Sequence, residues 1–183
     1  MMGDKFLHFS INWMLFNKGE KLGINTGDVR DDLFRKIGEG EYPNLIFLLL
    51  TKRPPNINKY IPPSWKVNPP KNVWFGCSPV DQDTYDNFYR HMKKVNGNTF
   101  YSIEPQLGPI KLDLLDKVNW IIQGGESGHN NRPFNLNWAR IMQADCQFLN
   151  KPYFFKQIDK VIPIPDDLLI REFPLQMDLS FQL

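Results

Sequence analysis

The chain has 183 residues, 42% of them hydrophobic and 14% aromatic, which is ample for one folded domain with a real core and short for two. Lys and Arg number 22 against 20 Asp and Glu, a formal charge of +2, so a nucleic-acid partner is not indicated: such proteins normally show a clustered basic excess. Cys77 and Cys146 are too few and too far apart for a disulfide scaffold, and His8, His91 and His129 are scattered, so no metal site is expected from this chain alone.

No membrane span is expected, because the longest apolar run, residues 45–50, is far below the roughly 20 residues that cross a bilayer. The start, Met1-Met2-Gly3-Asp4-Lys5, lacks the apolar core of a secretory signal. Together these features predict a soluble, cytoplasmic protein with reduced thiols.

Taken in order, residues 1–44 read as an irregular segment followed by a helix. Asp28 is the expected N-cap, Val29, Leu33, Phe34 and Ile37 form the apolar face, and Gly38 and Gly40 end it. A βα rhythm follows over residues 45–158. Strands are expected at 45–50, 73–77, 99–103, from Trp120, and at 153–155. A helix capped by Asp81 or Asp83 carries Tyr85, Phe88, Tyr89, Met92 and Val95 at helical spacing. Another, opened by Asn135 or Asn137, turns Trp138, Ile141, Met142, Ala144, Cys146 and Leu149 mostly inward. A short helical turn is read over Leu112–Lys117. The proline-rich stretch Pro54–Pro70 reads as a stiff surface connection without a long helix. Residues 159–183 are expected to form an arm packed across the domain as a strand or turn-rich segment.

Strands alternating with helical patterns predict an α/β fold with a parallel sheet, whose strand C-terminal ends lie along one edge. Polar groups gather at those ends: Thr51, Lys52 and Arg53; Cys77 and Ser78; Glu104; Gly124, Gly125, Glu126 and Ser127; Lys156 and Gln157. Lys52, Arg53 and Lys156 can meet a carboxylate or phosphate, and Glu104 and Glu126 can do acid/base work. Gly124 and Gly125 follow a buried run and can let a ligand approach the main chain. The alternative for the whole set is a self-neutralising ring of salt bridges. Cys77 reads as a small core residue rather than a nucleophile.

Several of these segments occur together in a familiar order: Leu50-Thr51-Lys52-Arg53-Pro54, Asn72–Ser78, Ser102–Ile110, Trp120–Gly128, Arg132-Pro133 and Phe154-Phe155-Lys156-Gln157. The combination resembles the phage Gp37/Gp68 family of radical-SAM-like TIM-barrel proteins, over about residues 45–174. Arg171-Glu172-Phe173-Pro174 is similar to that family's C-terminal end, and Met2–Phe6, with Asp4, to an earlier strand end.

The resemblance implies a partial (β/α) TIM-like barrel, the C-terminal portion of a radical-SAM-like enzyme, binding substrate or cofactor at the strand ends. The family's cysteine cluster is missing, and a full barrel takes about 250 residues. S-adenosylmethionine and an iron–sulfur cluster are therefore expected only if a complementing N-terminal chain supplies the rest. Other readings are a non-catalytic remnant or partner-binding protein that associates through an exposed sheet edge, and a metal-independent barrel enzyme using Glu104 and Glu126.

Overall fold

The computed structural model describes residues 26–174. Asp4 and the remainder of the N-terminal segment lie outside those residues. The first element, α1 (Thr26–Gly38), starts ahead of Asp28. Asp28 is thus not the N-cap but sits in the first turn, where its carboxylate faces the positive end of the helix dipole. Phe34 and Ile37 are buried as their spacing requires, whereas Val29 is 60% exposed on the outer side of the first turn.

Five strands follow: β1 (Phe47–Thr51), β2 (Val73–Cys77), β3 (Asn98–Ile103), β4 (Trp120–Gly124) and β5 (Tyr153–Gln157). They form one all-parallel sheet in chain order, β1-β2-β3-β4-β5. The fold is α/β, and the sheet is open: among the described residues β1 pairs with β2 alone. Beyond β5 runs the arm. Arg171 bridges Phe154 in antiparallel sense, Phe155 N–H donates to the Ile170 carbonyl, and Glu172 N–H to the Tyr153 carbonyl. A 3-10 turn at Asp166–Leu168 anchors this arm by burying Leu168 completely.

Successive strand residues alternate between two faces. On one, Phe47, Leu49, Val73, Phe75, Tyr101, Ile103, Ile121, Tyr153 and Phe155 merge with side chains from the helices into the main core. The helical contribution comes from α1, α2 (Pro55–Tyr60), α3 (Gln82–Met92) and α4 (Leu136–Phe148). Crossovers of one hand between sequentially ordered strands place their helices on one side, which this core reflects. On the opposite, inner face Ile46, Leu48, Trp74, Phe100, Trp120 and Ile122 form a second cluster, with Leu50 and Phe154 against it. Phe173 of the arm closes on it, its ring 5.5 Å from Trp120 and 5.3 Å from Phe154. At Gly76 the ring of Phe100 lies where any Cβ would stand.

Local chemistry explains where the elements depart from expectation. Residues 54–70 hold no long helix, and this connection packs on the core more deeply than its prolines suggest. Proline sits in the first turn of α2, where no N–H is needed, and Ile57, Ile61 and Trp65 enter the main core. A 3-10 turn, Pro63–Lys66, presents Trp65 to Phe34 at 5.0 Å between rings. Leu112–Lys117 is not helical. Asp113 Oδ1 accepts from Leu115 N–H and Asp116 Oδ1 from Val118 N–H, so short side chains take the backbone bonds a helix would need. The other Asp116 oxygen accepts from the Tyr85 hydroxyl at 2.7 Å, tying this loop to α3.

Asp81 caps α3 through a full capping box with Thr84, and Asn135 caps α4. In α4 the inward residues are Ala139, Met142 and Cys146, while Ile141 and Ala144 face outward.

Candidate functional site

The inner face ends, at the strand carboxyl side, in a polar rim. Alternation continues from Trp74 and Gly76 to Ser78, and from Phe100 and Ser102 to Glu104. Phe154 is followed on its face by Lys156, and Leu50 by Lys52. Lys156 Nζ meets Glu104 Oε2 at 2.9 Å, so an ion pair reaches from β3 to β5 past the end of β4, which lies between them. Lys156 stands at a break in the register, since Gln123 pairs with Phe155 but Gly124 with Gln157. Lys156 is the extra residue of this irregularity and has no register partner on β4. Glu104 is largely covered, at 18% exposure, and Lys156 is 43% exposed.

The other expected groups divide by face and partner. Lys52 and Arg53 are exposed, and among the described residues neither side chain has an acidic partner. Thr51 belongs to the helix-side face; it is buried and its hydroxyl accepts from Arg53 N–H at 3.0 Å, shaping the turn. Ser78 is buried at 6% exposure, and Ser127 is exposed.

The glycine pair does not open the main chain to a ligand. A Cβ on Gly125 would strike the Ile158 carbonyl oxygen and come within 2.8 Å of Phe134 Cβ, and one on Gly124 would press against Gln157. Gly125 N–H donates to the Gln157 carbonyl, Gln157 Nε2 returns to the Gly125 carbonyl, and Gln106 N–H takes the Gly124 carbonyl. The close approach that glycine permits here is made by the chain's own β5 end.

Glu126 is likewise committed. Arg132 Nε and Nη2 each reach one of its oxygens at 2.7 Å, and Arg132 N–H adds a bond at 3.0 Å. The guanidinium side-chain bond, followed by that backbone bond, lowers its carboxyl to about 2. Glu104 and Glu126 therefore hold separate cations and do not present a free carboxylate pair.

Two features of the rim escape a motif reading. Ser102 stands between Phe100 and Glu104 on the inner face, and period-two alternation in the strand would have placed it there. Arg171 lies over the Phe154 ring at 4.6 Å and donates to the Lys156 carbonyl, adding a cation at the β5 side. Only the pairing of the arm with β5 brings it there.

A cleft of about 670 Å³ opens instead at the amino-terminal end of the sheet, lined by Asn119, Lys151, Glu172 and Phe173 among others. Its lysine is already engaged, donating at 2.7 Å to the Asp116 and Val118 carbonyls, and burial lowers its pKa.

The groups implied by the family resemblance find no fit. Cys77 and Cys146 are both buried, and burial raises both thiols, Cys146 to about 12 and Cys77 further from the thiolate range as well. Among the described residues no cluster of His, Cys, Asp or Glu could hold a metal ion. The packed glycine pair offers no cradle for S-adenosylmethionine. No helix among the described residues is long and apolar enough to cross a membrane.

A family model described as a protein of unknown function, DUF5131, matches residues 25–165, which span the whole sheet. No curated protein and no solved structure matches the chain.

Proposed function

The chain belongs to the DUF5131 family, and we propose that it is the C-terminal part of a Gp37/Gp68-like βα barrel that binds a small polar ligand at the inner rim of its sheet. The observation that carries this reading is the Glu104–Lys156 ion pair, set at the strand carboxyl ends above an aromatic floor. Sites in parallel βα architectures gather at that end, because loops there can vary while the sheet holds them in place. Phe100 and Phe154 precede Glu104 and Lys156 on the same strand face, so apolar surface lies next to the pair along each strand. Lys52 and Arg53 add positive potential along the same edge. Any radical chemistry belongs to the complemented barrel, since the chain's own cysteines do not fit a cluster.

The reading is tested by titrating the 15N-labelled chain with a panel of nucleotides, sugar phosphates, amino acids and S-adenosylmethionine. Saturable amide shifts centred on Ser102, Glu104 and Lys156, lost in Lys156→Met, are expected. A ligand that binds only in the cleft beside Lys151 and Glu172, or a panel without any binder, overturns the proposal.

A further inference from the structure

Ser78 and Ser102 occupy neighbouring strands on the same face. Cys77 pairs with Tyr101 in parallel register, so the next residue of each chain, Ser78 and Ser102, falls side by side. Pro79 keeps Ser78 extended, which preserves the alternation past the strand end. Both serines are more than nine-tenths buried, at 6% and 7% exposure, and among the described residues neither hydroxyl has a hydrogen-bond partner. Neither hydroxyl is sealed off from solvent, so both remain free to rotate and donate to an incoming acceptor. Two pleats deeper on the same face, the indole N–H of Trp74 is buried and unpartnered. The Phe100 ring, seated on Gly76, separates it from the serine pair and forms the floor beneath them.

Along the row through the serines the order is Lys52 beyond β1, Ser78, Ser102, Ile122 on β4, and Phe154 on β5 with Arg171 over its ring. Two adjacent O–H donors thus have Lys52 as the next residue in the row on the β1 side and Arg171 two strands away over Phe154, while the carboxylate one pleat above, Glu104, is neutralised by Lys156. Resting on the rim-binding reading, we propose that Ser78 and Ser102 form an oxyanion subsite: their hydroxyls donate to the phosphate or carboxylate oxygens of the ligand, and Lys52 and Arg171 supply the countercharge. Hydroxyl pairs beside mobile cations suit an anion because each O–H rotates to follow the acceptor. The aromatic floor favours a ligand whose anionic group is attached to a flat or apolar body.

The experiment titrates the whole chain with phenyl phosphate, benzoate, inorganic phosphate and the neutral control phenol, following amide shifts and affinity. Shifts at Ser78, Phe100 and Ser102 are expected with the anionic aromatics. Affinity should fall at least tenfold in Ser78→Ala/Ser102→Ala, and several-fold in Lys52→Met, with the thermal midpoint of the double variant close to wild type. Stronger binding of phenyl phosphate than benzoate marks a phosphate site, and the reverse order a carboxylate site. The proposal is overturned if the double variant retains affinity within twofold, if phenol binds equally well, or if shifts stay on exposed Lys52 and Arg53. Should the double variant bind normally while Lys156→Met does not, the serine subsite falls and the rim reading stands.

Discussion

At Gly125 the residue type is dictated by a backbone carbonyl rather than by a ligand. The Ile158 oxygen and the Phe134 side chain fill the space of a Cβ, and neither belongs to a flexible side-chain end. Gly125→Ala should therefore cost about 3 kcal/mol through overpacking, read as a lowered midpoint in urea with an unchanged slope. A nearby residue makes the contrasting case of pairing without burial. Glu126 titrates near 2 against an ordinary value of 4.5 because Arg132 grips both oxygens. A depressed folded-state pKa means that the pair stabilises the fold above pH 4.5 and that this contribution is lost as the pH falls toward 2. Carbon-detected NMR of the Glu126 carboxyl should show that low midpoint, and Arg132→Met should return it to the ordinary carboxylate range. A wild-type midpoint near 4.5 would remove the clamp.

Among the elements, the arm closes what would be the second free edge of the sheet. Its hold depends on Leu168, fully buried in the main core, and on backbone bonds at Ile170 and Glu172. Leu168→Ala should cost about 3 kcal/mol by leaving a cavity. It should also speed hydrogen exchange at the Phe155 amide, which donates to Ile170, more than at Phe75 in the centre of the sheet. Equal acceleration at both amides would show that the arm and the sheet open as one unit. The five strands were readable from apolar runs, and the α3 and α4 caps to within a pair of candidates each, Asp81 or Asp83 and Asn135 or Asn137, since burial on both faces and N-terminal capping leave local signatures. Less readable was the segment 54–70, where six prolines mask a helix whose Ile57, Ile61 and Trp65 are held by tertiary packing. Leu112–Lys117 misled for the opposite reason: helical spacing was present, but Asp113 and Asp116 took the backbone donors.

Across the whole molecule, polarity at strand ends marked the correct edge of the sheet but not which groups share a face. Thr51 turns to the helices, Gly124 and Gly125 are absorbed by β5, and Glu126 is tied to Arg132, leaving Lys52, Ser78, Glu104 and Lys156 on the inner rim. Those outcomes depend on contacts between distant segments, such as Arg171 over Phe154, which no local pattern encodes. The identity of strand order and chain order has a kinetic consequence. Phe47 pairs with Val73, Phe75 with Thr99, Phe100 with Trp120 and Ile121 with Tyr153, so each new strand docks on the one made just before it. A chain emerging from the ribosome can lengthen this sheet one strand at a time, without holding an early strand in reserve for a late partner. Each intermediate shows a single growing edge, and the arm seals that edge only after β5 is in place.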